Sequence, residues 1–315
     1  MGTCYWRRQV FEYHPLFGWW HLPNMYARVP LGQTYHYVTT NAAGMRSDRD
    51  YPQVRPAGKK RVVFLGDSYT AGDGVSNNQR FTDLLERRFP NFDAMNFGLN
   101  GSGTDQQLLI YEHLASEFEA DAYVFCICVE NIARNLYDCF PSYDWREQLV
   151  AYRPKPYFRL MGSELELCNS PVPRERRAAE NLGDWRCSFP YVPGDADPYA
   201  IYKDPESIHW RTMKAILQRF ITAGKGHTIF IVPMPMCNHY LGENGPTYMP
   251  RFKEIEDKPK GVHVIDLLPA MQAVPMNHRR GFRFPDDPHY TAAAHSLVAD
   301  AIEYHFALHA PTLLD

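Results

Sequence analysis

Four short stretches of this sequence hold side chains from which nucleophilic chemistry could be built. In the first, residues 61–72, a run of aliphatic residues stops abruptly at Gly66-Asp67-Ser68. A serine hydroxyl is a poor nucleophile alone; it needs a base beside it and donors for the oxyanion it creates. In the last stretch, 284–302, His289 follows Asp286 and Asp287. A carboxylate that close to a histidine can fix its tautomer and support the imidazolium formed when it takes a serine proton. Spacing of two gives Asp287 and spacing of three gives Asp286, and spacing leaves both open. His295, further into the same region, reads as structural.

Two stretches lie between these. Asn96–Gln107 contains Gly98, Gly101 and Gly103. Each is a place where a backbone N–H could approach a reacting oxygen without a side chain in the way. The spacing is not Gly-x-Gly-x-x-Gly, and no Gly-Lys-Ser/Thr occurs, so a phosphate loop is not expected. The stretch 128–135 holds Asn131, whose amide can donate to an oxyanion, and Asn135 as a second choice. Glu130 could touch a ligand or pair with Arg134 at i,i+4. Each stretch alone reads equally well as a turn, a loop or a helix start.

The elements that must carry these side chains alternate. Strands are expected at 61–66, 93–99, 122–129, 227–235 and 262–269. Helices are expected at 79–89, 104–118 (with Thr104 as N-cap), 205–224 (stopping at Gly224) and 291–310. Such alternation predicts an α/β/α sandwich around a mostly parallel sheet of about five strands, in the flavodoxin-like manner. In these sheets ligands bind beyond the carboxyl ends of the strands, which is where Ser68 falls. Residues 1–58 read as a turn-rich lead-in packed on a main domain of 59–315. Residues 136–204, rich in Pro, Tyr, Trp and Arg, break the rhythm and read as an insertion or cap.

Composition narrows the function classes. The 315 residues are 45% hydrophobic and 22% charged, with a net charge of −3, so nothing favours nucleic acid or an anionic membrane. No stretch has the length and apolarity of a membrane span. No apolar leader opens the sequence, and a cytoplasmic location is the expectation. The 20 tyrosines and 6 tryptophans could wall a cleft for a sugar or another flat ligand. The seven cysteines include no Cys-x-x-Cys pair, so no metal site is expected; Cys126 and Cys128 read as core, and Cys139, Cys168 and Cys187 could supply one disulfide.

In their order, the four stretches resemble the blocks of the SGNH hydrolase family, the GDSL esterases and lipases. The lead-in Asn41-Ala-Ala-Gly-Met-Arg46 resembles the segment preceding the first block in bacterial members. The resemblance spans roughly 60–135 and 225–308. It implies Ser68 as nucleophile, His289 as base with Asp287 as the favoured acid (the segment Asp287-Pro-His289 resembles the Asp-x-His of many relatives) and Asp286 as the alternative, and Ser68, Gly101 and Asn131 as oxyanion donors. The third block departs from the family, with Val129-Glu130-Asn131-Ile132 in place of Gly-x-Asn-Asp. The activity so implied is that of a serine esterase. It would act on a small acyl ester, such as an acetyl ester, of a carbohydrate or metabolite through an acyl-enzyme, with no cofactor. An O-acyltransferase on the same fold and a non-catalytic binding module are the alternatives. Oligomeric state is not legible.

Overall fold

The structure is a computed structural model that describes residues 5–6, 10–31, 34–144, 149–178, 181–183, 186 and 198–315. At its centre is a parallel sheet of β1 (Lys60–Leu65), β2 (Phe92–Asn96), β3 (Ala122–Cys128), β4 (Thr228–Met234) and β5 (Val262–Val264), in the order β2-β1-β3-β4-β5. The β1 and β3 side chains are almost wholly buried, as a continuous apolar run covered on both faces requires. The helices that frame the sheet and the site are α1 (Ser68–Ala71), α2 (Phe81–Arg88), α3 (Thr104–His113), α4 (Ile208–Ala223) and α5 (Ala292–His309). Helix α2 packs with α5, and α3 with α4, giving the expected three-layer sandwich.

The expected boundaries shift at a few points. Strand β5 is short, ending at Val264, although the next residue still pairs: the Ile265 N–H reaches Ile231 O on β4 at 2.9 Å. Helix α3 stops at His113 and a separate 3₁₀ turn follows at Ala115–Glu117. Gly103, not Thr104, is the N-cap of α3, and its N–H donates to the Gln106 side chain at 3.1 Å. Gly224 does end α4.

The lead-in holds more regular structure than its turn-rich sequence suggests. Phe11–His14 pairs antiparallel with Gly18–His21, and Tyr26–Leu31 with Thr34–Thr39. Within 136–204, Cys139–Asp144 pairs with Leu149–Pro154, and Tyr157–Met161 with Glu164–Cys168. Cys126, Cys128 and Cys168 are free thiols, Cys139 is disulfide-bonded, and Cys187 lies outside the described residues. Among the described residues no helix is long and apolar enough to cross a membrane.

One buried ion pair clamps this second region to the sandwich. Lys155 Nζ lies 2.5 Å from Asp105 Oδ2, with both side chains almost fully buried. The same ammonium donates to the carbonyls of Arg134, Tyr137 and Pro156 at 2.9 to 3.2 Å, so its hydrogens are satisfied. Removing one partner would strand the other charge without water. Lys155→Ala is therefore expected to lower the unfolding free energy by about 3–5 kcal/mol, read from urea denaturation.

Candidate active site

The order β2-β1-β3 makes the β1–β3 boundary the place where the chain's direction of travel across the sheet reverses, leaving a crevice at the strands' carboxyl ends. Ser68 leaves β1 on one side of it and Asn131 leaves β3 on the other.

Ser68 is the first residue of α1, whose N-cap is Asp67. Asp67 Oδ1 accepts the Tyr69 N–H at 3.0 Å, and Oδ2 accepts from the Asn131 amide. One carboxylate thus holds both the serine's helix and the asparagine. Burial pushes the Asp67 carboxyl above the usual range, against the pull of Arg134, the Tyr69 N–H and Asn131. The far end of α1 is sealed by Arg46. The residue is 2% exposed, and its guanidinium donates to the carbonyls of Ala71 at 2.7 Å, Gly72 at 2.6 Å and Val75, and to Asn77 Oδ1 at 2.9 Å. This gives the lead-in motif a physical role: Asn41 Oδ1 accepts from Ala43 N and Met45 N, and the turn delivers Arg46 beneath the serine's helix.

His289 lies on the short strand Asp287–Tyr290, ahead of the α5 N-cap Thr291. Its Nε2 is 2.7 Å from Ser68 Oγ and its Nδ1 is 2.6 Å from Asp287 Oδ1. A carboxylate at Nδ1 keeps the proton there, which leaves Nε2 as acceptor for the serine hydroxyl. Asp287 Oδ1 also accepts the His289 N–H at 2.9 Å, so the dipeptide turn presets the pair. Asp286 is exposed, and the ring takes its neighbour instead. Tyr69 buttresses the imidazole, its ring centroid 4.9 Å away and its hydroxyl bonded to Pro288 O.

Burial alone would lower the His289 pKa. The Asp287 bond and the charges of Asp73, Asp287 and Asp67 outweigh it and hold the imidazole above its ordinary 6.5. Asp287 moves the other way: burial lifts it, but bonding to His289 dominates and its pKa falls. His36, buried on the lead-in, is kept neutral by burial and by Arg46, at about 3.

The glycine loop after β2 is tightly held. Gly98 N donates to Asn96 Oδ1 at 2.9 Å, and a Cβ there would come within 2.3 Å of Ala71 N, so the loop lies directly on α1. Gly101 has φ +76°, and a Cβ there would meet the Phe140 ring at 2.7 Å. Among the described residues neither the Gly101 N–H nor the Ser68 N–H is used by another protein group. Asn100, between them and the lead-in, accepts from Trp19 Nε1 through its carbonyl at 2.9 Å and contacts His21 Nε2 at 3.1 Å.

The other candidates serve elsewhere. Asn135 accepts the Asp105 N–H at 3.1 Å and so caps α3. His295 is buried, accepts from Phe81 N at 3.3 Å, and is held neutral by burial at about 3. Glu130 takes the Tyr199 hydroxyl rather than Arg134, which donates to Ser102 O. The sequence singles out neither Asp73 nor Asn100, and marks Arg46 only as part of the lead-in motif. Asp67 is legible in it only as the middle residue of Gly66-Asp67-Ser68. Asp73 stands beside the imidazole, with Oδ2 4.0 Å from Nε2.

A five-stranded α/β/α sandwich with a serine–histidine–aspartate chain at its switch point is the frame of a serine ester hydrolase. The sequence model of the GDSL-like lipase/acylhydrolase family matches residues 64–297, and the chain belongs to that family. Solved structures similar to it include a lipolytic protein of the G-D-S-L family from Veillonella parvula (11% identity, 80% of this chain, 98% of that chain, TM-score 0.44). A lipase/acylhydrolase from Enterococcus faecalis is similar too (16% identity, 78% of this chain, 95% of that chain, TM-score 0.42). So is an alpha/beta hydrolase enzyme from the metagenome of Lake Arreo, Spain (14% identity, 83% of this chain, 99% of that chain, TM-score 0.46). No curated protein matches the sequence.

Two measurements check this geometry. The His289 ring, followed by NMR, should titrate above 6.5, and Asp287→Asn should lower that midpoint because the cation loses its partner. Gly98→Ala should cost about 3 kcal/mol or more in urea denaturation, since the obstructing atoms are backbone.

Proposed function

We propose that this chain is a serine esterase that cleaves a small acyl ester, such as an acetyl ester, of a carbohydrate or metabolite through an acyl-enzyme. The observation that carries the reading is the continuous chain from Ser68 Oγ through His289 to Asp287, at 2.7 and 2.6 Å. Ser68 attacks the ester carbonyl while His289 Nε2 takes its proton. The Ser68 and Gly101 N–H groups and the second amide hydrogen of Asn131 receive the oxyanion. His289 then returns the proton to the leaving alcohol, and water activated by the same nitrogen releases the acid. Asp287 stabilises the imidazolium in both halves.

Trp19 from the lead-in and Phe140 from the 136–204 region, with ring centroids 5.5 Å apart, flank the Gly101 loop and support a walled acyl site.

A fluorophosphonate probe should label Ser68, and Ser68→Ala should abolish both the label and hydrolysis of p-nitrophenyl acetate. Asp287→Ala should lose about 10⁴-fold in kcat, while Asp286→Ala stays near the parent. Equal losses in the two aspartate variants would sink the assignment. The midpoint of the acid limb of kcat/KM should lie above pH 6.5, because the base must be neutral to act and its pKa is raised.

A further inference from the structure

Asp73 is a second carboxylate at the reactive face of His289. It follows α1, and its N–H donates to Ser68 O at 3.0 Å, so its backbone moves with the serine. Oδ1 accepts from the Asn100 amide, which is itself held by His21. Oδ2 stands 4.0 Å from His289 Nε2, and the side chain is 30% exposed. The charged groups around it are His289, Arg46, Asp287 and Asp67. Arg46 spends its donors on backbone carbonyls and Asn77, so it makes no direct pair with Asp73.

That placement bears on the substrate, given the proposed esterase reading on which it rests. The nitrogen that protonates the leaving alcohol must come within about 3 Å of its oxygen. Asp73 Oδ2 then lies beside the first atoms of the alcohol. An ionised carboxylate only accepts hydrogen bonds. We propose that Asp73 reads the alcohol half of the ester: it accepts from a hydroxyl one carbon removed from the ester-bearing carbon and repels an anionic group there. The preferred substrates are then esters of polyhydroxylated alcohols, and esters of hydroxy acids or phosphorylated alcohols are disfavoured.

Three esters of one acyl group test this, the acyl group being whichever the enzyme takes fastest as its p-nitrophenyl ester. The alcohols are ethylene glycol, n-propanol and glycolate, which are close in size and differ in the group facing Asp73. At mildly alkaline pH the parent enzyme should prefer the glycol ester to the propyl ester and disfavour the glycolate ester, each by about tenfold in kcat/KM. Asp73→Asn, which loses the charge but keeps an acceptor, should collapse the discrimination against glycolate; Asp73→Leu should collapse both ratios toward one, and Asp73→Glu should keep the discrimination against glycolate. Ratios are insensitive to loss of folded protein, so an unstable variant still reports. In the parent, added salt should selectively raise the glycolate rate. Flat ratios in the parent, a glycolate ratio unchanged in Asp73→Asn, or a glycol ratio unchanged in Asp73→Leu would overturn the inference while leaving the esterase reading intact. If Ser68 takes no fluorophosphonate and no ester is cleaved, the esterase reading fails and this inference falls with it.

Discussion

The buried carboxylate of Asp67 is the constraint on which the site depends. It follows β1 by two residues, caps α1 through Tyr69 N, and holds the Asn131 amide that follows β3. Adjacent parallel strands bring those two chain segments close, but only a shared acceptor sets their orientation. Its burial raises the cost of leaving any of its lone pairs unmet. Asn131 and the serine helix are thereby positioned as one unit, and the Ser68 N–H stays free at the helix start.

Around that unit the charges are arranged to favour one protonation pattern. Asp287, Asp73 and Asp67 all raise the His289 pKa against the effect of burial. An imidazole so placed accepts a proton more readily, and the cation it forms meets negative charge on both ring nitrogens. Arg46 balances this excess from below, through carbonyls rather than through a paired carboxylate. The field is therefore strong at the imidazole, while the guanidinium stays out of the crevice.

The lead-in and the 136–204 region serve the same loop from two sides. Trp19 and His21 hold Asn100 next to Gly101, and Phe140 covers Gly101 itself. Lys155 binds its region to the start of α3, immediately after that loop. Neither region has the long periodic runs that would mark it as part of the site. Short hairpins of Tyr, Trp and Pro give little periodicity, and their pairing partners are set by packing on the sandwich.

The local sequence determined the alternating strands and helices, the parallel sheet they imply, and the positions of Ser68, Asn131 and the Asp-x-His segment. These follow from apolar periodicity, caps and short-range spacing, which act within a few residues. Spacing left Asp287 and Asp286 open and the family resemblance favoured Asp287; the fold leaves Asp286 exposed and bonds Asp287 to the ring. Tertiary structure alone decided the rest. It separated Asn131 from Asn135, turned Glu130 to Tyr199 and not to Arg134, and brought Arg46 under α1. It also set Asp73 beside His289, from a distant part of the chain. Such pairings depend on which buried polar groups must satisfy one another across distant elements, and no spacing rule along the chain records that.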